Sequence, residues 1–149
     1  MTASSWAAPS AFDQIKGLAG VWEGTAGRDE TPATVSYEVT SGGNAVVERL
    51  FPGTDEEMTS VYYEKNGVVA MTHYCVIGNR PEMILADSDP SNLFFELAPD
   101  SGLDPAEAHM HGLKISMPNS QAMEQIWLYY ENGEQQGTKV ITLKRKGQS

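Results

Sequence analysis

The chain has 149 residues, of which 40% are hydrophobic, 10 are basic and 20 are acidic. This length suits one domain with one packed core, and the apolar content argues against global disorder. The formal charge of −10 argues against nucleic acid and against an anionic membrane surface as partners, because both bind basic protein surfaces.

The predicted location is the cytoplasm. A single cysteine, Cys75, excludes an internal disulfide and fits a reducing compartment. Residues 1–10 have neither the basic nor the apolar region of a signal peptide. No stretch of the sequence approaches the roughly 20 apolar residues of a membrane-spanning helix.

A short helix is the first predicted element, after a flexible tail at residues 1–9. Ser10 followed by Asp13 is typical of a helix start, with a hydroxyl cap and a carboxylate three residues later. Gly17 and Gly20 are expected to end this helix after two or three turns.

From Val21 onward, short β-rich segments alternate with clusters of turn residues. Asn66-Gly67 and Asn132-Gly133 are typical hairpin turns, because both residue types tolerate a positive φ. Every connection is short, which favours sequential antiparallel pairing, and closure of the sheet would remove its two unpaired edges. The predicted fold of residues 10–149 is therefore all-β: a single closed antiparallel up-and-down β-barrel that follows the N-terminal helix. Its ten predicted strands are 21–28, 34–41, 44–51, 57–65, 68–77, 82–87, 93–98, 108–117, 122–131 and 138–146.

Strand parity predicts which side chains face the barrel interior. The predicted inward set combines an apolar wall with a few polar groups, a mixture that is typical of small-molecule sites. On the third strand, the pattern leaves open whether Glu48 or Arg49 faces inward. The predicted inward residues are Val35, Tyr37, Val39, Val69, Met71, His73, Cys75, Ile77, Leu93, Phe95, Leu97, His109, His111, Leu113, Ile115, Met117, Met123, Gln125, Trp127 and Tyr129.

Three histidines are candidate metal ligands. His109 and His111 share one strand face, and His73 could add a third imidazole for a divalent ion such as Zn²⁺, with water in an open position. Glu48 or Cys75 could complete the set. The alternative is that each histidine is satisfied by a hydrogen bond to a neighbour and binds no metal.

His73 is also the candidate catalytic residue, as a general base, because an imidazole titrates near neutrality. Cys75 on the same predicted face is a candidate nucleophile, the alternative being a small inert core residue. Asn79 and Arg80 could bind a carbonyl and a carboxylate at one barrel mouth, the alternative being turn chemistry. The ligand-binding candidates are Tyr37, Met71, His73, Cys75, Asn79, Arg80, His109, His111, Gln125 and Trp127.

The string Gly20-Val21-Trp22, at the first strand after a short helix, resembles the start of lipocalin-like barrels of the calycin superfamily. In those barrels a basic residue of the last strand packs over the tryptophan. The resemblance therefore implies a structural contact between Trp22 and Arg145, with Lys144 as the second choice.

Four further strings resemble an uncharacterised bacterial family of lipocalin-like proteins: 71–75 (MTHYC), 78–83 (GNRPEM), 109–113 (HMHGL) and 125–127 (QIW). This resemblance extends from about Phe12 to Lys146 and implies the barrel fold without naming an activity.

A more distant resemblance is to nitrobindin-like and fatty-acid-binding-like barrels, since Gly20, Trp22 and Gly24 match the nitrobindin-like start. The haem ligand of nitrobindin-like barrels is a histidine at the start of the last strand. The matching residues 137–140 contain no histidine, so haem is not expected here.

Two functions are compatible with these patterns. The favoured one is binding of a small, mostly apolar molecule in the barrel lumen, with histidine and arginine side chains as polar anchors. The alternative is a small-molecule enzyme, a lyase, isomerase or hydrolase, that uses a histidine acid–base or histidine–metal site in the same lumen. The expected partner is a small molecule, and an exposed strand edge would favour a homodimer.

Overall fold

The computed structural model describes residues 9–147, so the first eight residues of the predicted tail lie outside the described part. One helix precedes ten strands, and a 3-10 turn at Ser41–Gly43 separates the second strand from the third. The elements are α1 (Ala11–Lys16), β1 (Gly20–Ala26), β2 (Thr31–Thr40), β3 (Ala45–Leu50), β4 (Met58–Lys65), β5 (Val68–Tyr74), β6 (Glu82–Asp89), β7 (Asn92–Leu97), β8 (His109–Asn119), β9 (Ala122–Glu131) and β10 (Glu134–Arg145).

The ten strands form one closed antiparallel barrel. Each strand pairs with its neighbours in the sequence, and β1 pairs with β10 to close the sheet. The predicted all-β class and up-and-down topology are confirmed. Closure leaves none of these ten strands with the unpaired edge that would favour a dimer.

The helix α1 covers one end of the barrel, here named the capped end. Ser10 caps it as predicted, because its hydroxyl accepts a hydrogen bond from the backbone N–H of Asp13 at 3.1 Å. The helix is shorter than predicted, six residues, since Gly17 already occupies its C-cap. Phe12 and Ile15 are buried in the barrel core, which closes this end to solvent.

The opposite end, here named the mouth end, carries the remaining long connections. Alternation of strand direction places there the loops 27–30, 51–57, 75–81 and 98–108 and the turn at 132–133. No helix in the described range is long and apolar enough to cross a membrane.

Parity predicts the interior correctly in the middle of the strands and fails near the ends of β2 and β5. Val39 and Ile77, both predicted to face inward, are 38% and 51% exposed. Val39 lies at the rim, next to the end of β2. Ile77 lies beyond the end of β5, in a turn closed by hydrogen bonds between Cys75 and Asn79 and between Gly78 and Cys75, so the strand alternation no longer applies.

Candidate functional site

Four polar side chains form one row across four adjacent strands. Tyr37 of β2 pairs with Glu48 of β3, Glu48 with Ser60 of β4, and Ser60 with His73 of β5. Paired residues of antiparallel strands lie on the same face of the sheet. None of the four side chains is more than 3% exposed, so this set, here named the polar row, lies in the barrel interior.

Gln125 and Trp127 of β9 connect to the polar row from another side of the barrel. The Gln125 amide donates to the Glu48 carboxyl at 2.8 Å and to the Tyr37 hydroxyl oxygen at 2.6 Å. The Trp127 indole N–H donates to the Gln125 amide oxygen at 2.9 Å. Because an indole N–H can only donate, this contact determines which way the amide is oriented.

The Glu48 carboxyl is surrounded by hydrogen-bond donors. The Tyr62 hydroxyl donates to its Oε1 at 3.2 Å, and Tyr37 and Ser60 are its neighbours on the paired strands. The Tyr37 O–H donates to the Met123 sulfur at 3.6 Å. Burial raises the pKa of this carboxyl above its ordinary value, and the hydrogen bonds from Tyr37, Ser60, Gln125 and Tyr62 act in the opposite direction. Burial also raises the pKa values of Tyr37 and Tyr62 well above their ordinary value, so both phenols remain protonated donors.

His73 is the member of the polar row with a free polar atom. Its Nδ1 lies 2.9 Å from the Ser60 Oγ, and its ring centroid lies 4.6 Å from that of Trp127. Its Nε2 is buried and has no hydrogen-bond partner among the described atoms. Burial lowers the pKa of His73 to about 4, so the imidazole is neutral at pH 7.

The remainder of the interior is apolar. Tyr62 and Phe95 contact each other edge to face, with ring centroids 5.6 Å apart. The predicted wall residue Met71 is fully buried, as are two further methionines, Met83 and Met123. Soft methionine and aromatic walls around a few polar groups are typical of small-molecule sites.

A β-bulge keeps the other two histidines out of this interior cluster. The pairing of β8 with β9 shifts between Met110 and Gly112, so His111 is an extra residue and His109 pairs with Tyr130. Tyr130 and the buried Trp127 lie an odd number of positions apart on β9, so their side chains point to opposite faces of the sheet. The register therefore separates His109 and His111 from the polar row, because a bulge interrupts the alternation on which the prediction depended, although the His109 side chain is only 1% exposed.

His109 and His111 instead form a cluster with Tyr130. Nδ1 of His109 lies 2.7 Å from the Glu107 carbonyl oxygen, and its Nε2 lies 3.0 Å from Nδ1 of His111. The His111 ring stacks on Tyr130 with centroids 3.9 Å apart. Burial lowers the pKa of His111, and the charge of His109 lowers it further.

The predicted three-histidine metal site is not assembled. His73 contacts Ser60 and Trp127, whereas His109 and His111 contact each other. Among residues 9–147, no three His, Cys, Asp or Glu side chains lie close enough together to hold a metal ion. A structural zinc site needs four ligands and a catalytic one needs three, so these residues do not fit Zn²⁺.

The other predicted site residues lie at the mouth end. Cys75 follows the end of β5, and its sulfur lies 3.9 Å from that of Met58, so its contact is with a thioether and not with the His73 base. The Asn79 amide donates to the Ala108 carbonyl oxygen at 2.8 Å, which joins two loops. Arg80 is exposed on the rim.

The predicted contact between Trp22 and Arg145 is present at the capped end. The guanidinium carbon lies 4.5 Å from the centroid of the indole. Arg145 also donates to the carbonyl oxygens of Gly17, Ala19 and Ser120 at 2.6, 2.9 and 2.8 Å. It therefore joins the helix region, β1 and the turn between β8 and β9.

Sequence reasoning did not identify Ser60 and Tyr62, and it left the facing of Glu48 open. The hairpin at Asn66-Gly67 contains the missing signal. It pairs Lys65 with Val68, and counting five residues back and five forward from that pair places Ser60 opposite His73.

No family model and no curated protein matches this chain. Among solved structures, the chain is similar to the crystal structure of a protein of unknown function from the DUF3598 family of Nostoc punctiforme, with a TM-score of 0.60 and 16% sequence identity. The similarity covers 89% of this chain and 49% of that one, so this chain spans about half of that protein. Identity this low shows a shared barrel fold alone.

Proposed function

We propose that this protein binds a small, mostly apolar molecule in the interior of its barrel, with His73 as the main polar contact. The observation that carries the proposal is the buried Nε2 of His73, which has no hydrogen-bond partner within residues 9–147. A buried polar atom without a partner costs roughly 1–3 kcal/mol. A ligand that hydrogen-bonds to this nitrogen would remove that cost.

The surroundings of His73 support an apolar ligand. The Trp127 ring lies beside the imidazole and offers a flat face for stacking. Access is expected from the mouth end, because α1 closes the capped end with Phe12 and Ile15.

We also propose that the barrel is lipocalin-like and belongs to the calycin superfamily, as the string Gly20-Val21-Trp22 indicates. The packing of Arg145 over Trp22 and the up-and-down strand order support it. The proposal also includes a cytoplasmic location, which the single cysteine favours.

A second candidate function is acid–base catalysis in the same place. Glu48, Ser60 and His73 stand in series across three strands, an order of carboxyl, hydroxyl and imidazole that can orient a general base. The pKa of His73, about 4, makes the imidazole a weak base at neutral pH, because an efficient general base has a pKa near the working pH. The low pKa of His73 therefore favours binding over catalysis as the function.

Binding can be tested by native mass spectrometry of the purified protein and by thermal unfolding with small aromatic compounds such as toluene. A ligand at 100 times its Kd stabilises the folded state by about 2.7 kcal/mol, which raises Tm by roughly 5–10 °C for a domain of this size. His73→Phe should alter the response to polar aromatic compounds, and His111→Phe, outside the polar row, should not. A protein that carries no co-purified molecule and is stabilised by none of the compounds would contradict the proposal.

A further inference from the structure

The Trp127 indole N–H determines which groups donate and which accept in the hydrogen bonds around Glu48. The indole N–H donates to the Gln125 amide oxygen, so the Gln125 NH₂ group must be the part that faces Glu48 and Tyr37. An NH₂ group only donates. The carboxyl of Glu48 is therefore an acceptor in this contact.

A second neighbour of the Glu48 carboxyl donates to it as well. Tyr62 contributes an O–H at 3.2 Å, whereas the O–H of Tyr37 donates to the Met123 sulfur at 3.6 Å. Together with Gln125, which donates to Oε2, each oxygen of the carboxyl accepts one hydrogen bond. The carboxyl of Glu48 is therefore the acceptor in both contacts.

The donor and acceptor roles at Glu48 also determine those of Ser60 and His73. A serine hydroxyl has one hydrogen, and we assign it to the acceptor oxygens of Glu48, which pairs with Ser60 across β3 and β4. The Ser60 oxygen can then only accept from the His73 Nδ1, 2.9 Å away. The hydrogen of the neutral imidazole is therefore on Nδ1, and the buried Nε2 presents a lone pair to the interior.

The charge of the interior restricts the ligand further. In the described part of the chain, the buried polar and charged residues are Glu48, Ser60, His73 and Gln125 in the interior and His109 in the cluster with His111, a set without lysine or arginine. A carboxylate ligand in this interior would be a buried anion without a cation, which is strongly unfavourable.

We infer that the interior ligand is an uncharged molecule that donates a hydrogen bond, from an O–H or N–H group on a flat apolar body, to the Nε2 of His73. This inference rests on the proposed function and names the class of molecule bound. A carboxylate lacks the hydrogen and adds a charge. An ether or ketone of the same size would place its acceptor oxygen against the Nε2 lone pair of His73, and no hydrogen bond could form.

Four probes of similar size separate these possibilities: phenol, anisole, toluene and benzoate. Isothermal titration calorimetry with the full chain at pH 7 should give phenol about ten times the affinity of toluene and of anisole, since one buried hydrogen bond contributes about that factor. Benzoate should not bind. The control variant His111→Gln lies in the separate cluster with His109 and Tyr130 and should keep this order of affinities. The His73→Phe variant should bind toluene and phenol equally.

The tautomer of His73 offers a second measurement that needs no variant. Nitrogen-15 NMR of the free protein should show a protonated Nδ1 and an unprotonated Nε2. A protonated Nε2, or binding of anisole or benzoate as tight as that of phenol, would overturn the donor assignment while leaving small-molecule binding intact. Failure of all four probes to bind would overturn the proposed function, and this inference with it.

Discussion

The Ser60 hydroxyl lies between two ionisable groups that belong to the strands on either side of it. His73 lies 2.9 Å away across the β4–β5 pair, and Glu48 pairs with Ser60 across β3 and β4. Ser60 therefore couples the hydrogen-bonding state of the imidazole to that of the carboxyl. Four predictions about stability concern this group and the closure of the barrel.

Glu48→Gln should destabilise the protein by about 1–3 kcal/mol. The substitution replaces one acceptor oxygen with an NH₂ group, which must then face a donor from Tyr62 or Gln125. Urea unfolding measures the loss. Arg49→Gln is the matched control, because Arg49 is the exposed neighbour on the same strand and should change stability by less than about 0.5 kcal/mol. A Glu48→Gln protein as stable as the control would refute the acceptor role of the carboxyl.

The free energy of unfolding should fall as the pH is lowered from 6.5 towards 4. The pKa of His73 is about 4 in the folded protein, so an unfolded chain, with the ordinary value, binds more protons in this range. The difference corresponds to about 3 kcal/mol. Glu48 acts in the opposite direction, because its raised pKa gives stability that is lost as the pH rises.

NMR titration of the histidine ring protons separates these contributions. His73 should stay neutral to about pH 4, and His73→Phe should remove most of the loss of stability between pH 6.5 and 4. Titration of His73 near pH 6.5 would show that its ring is accessible to water and would contradict the buried site.

Arg145→Lys should destabilise the protein by about 1–3 kcal/mol and lower Tm by several degrees. A guanidinium donates to the carbonyl oxygens of Gly17, Ala19 and Ser120 at once while its flat face covers Trp22. An ammonium group cannot reproduce that planar geometry. Lys144→Ala, at the exposed neighbouring position, serves as the control in thermal unfolding, and equal effects of the two substitutions would argue against the role of the guanidinium.

Gly24→Ala should destabilise the barrel by about 3 kcal/mol. Gly24 pairs with Leu143 where β1 closes on β10, and an added Cβ would collide with the Thr142 carbonyl oxygen. Gly137→Ala tests the same substitution on β10, where an added Cβ meets nothing within 4 Å. The control should be neutral or slightly stabilising. Equal unfolding midpoints in urea for Gly24→Ala and Gly137→Ala would show that β1 and β10 do not pack closely at Gly24.

The number and order of the strands could be predicted because each depends on short-range patterns. Asn66 and Asn132 adopt the positive φ that their hairpin turns need, at 55° and 56°, and these turns place adjacent strands side by side. Strand ends were less predictable: β10 begins at Glu134, not at residue 138, and β5 ends at Tyr74, not at residue 77.

The candidate site could be predicted in part. Tyr37, Met71, His73, Gln125 and Trp127 were all expected in the interior by parity, and all are buried. The histidine pair was misplaced because a bulge in β8 shifts the alternation by one residue, and a bulge leaves little local signal in a sequence of mixed polarity.

The sequence by itself determined the all-β class, the strand order and the capped helix, because turn residues and alternation act over a few neighbouring positions. The contact of Trp22 with Arg145 was implied by the resemblance to lipocalin-like barrels. Only the tertiary structure decided that Glu48 faces inward, that Ser60 joins it to His73, and that His109 and His111 lie apart from them. Those outcomes depend on pairing between strands, and on contacts with β9 more than 50 residues away along the chain, where the free energy of burial and of hydrogen bonding is set by partners that no local pattern specifies.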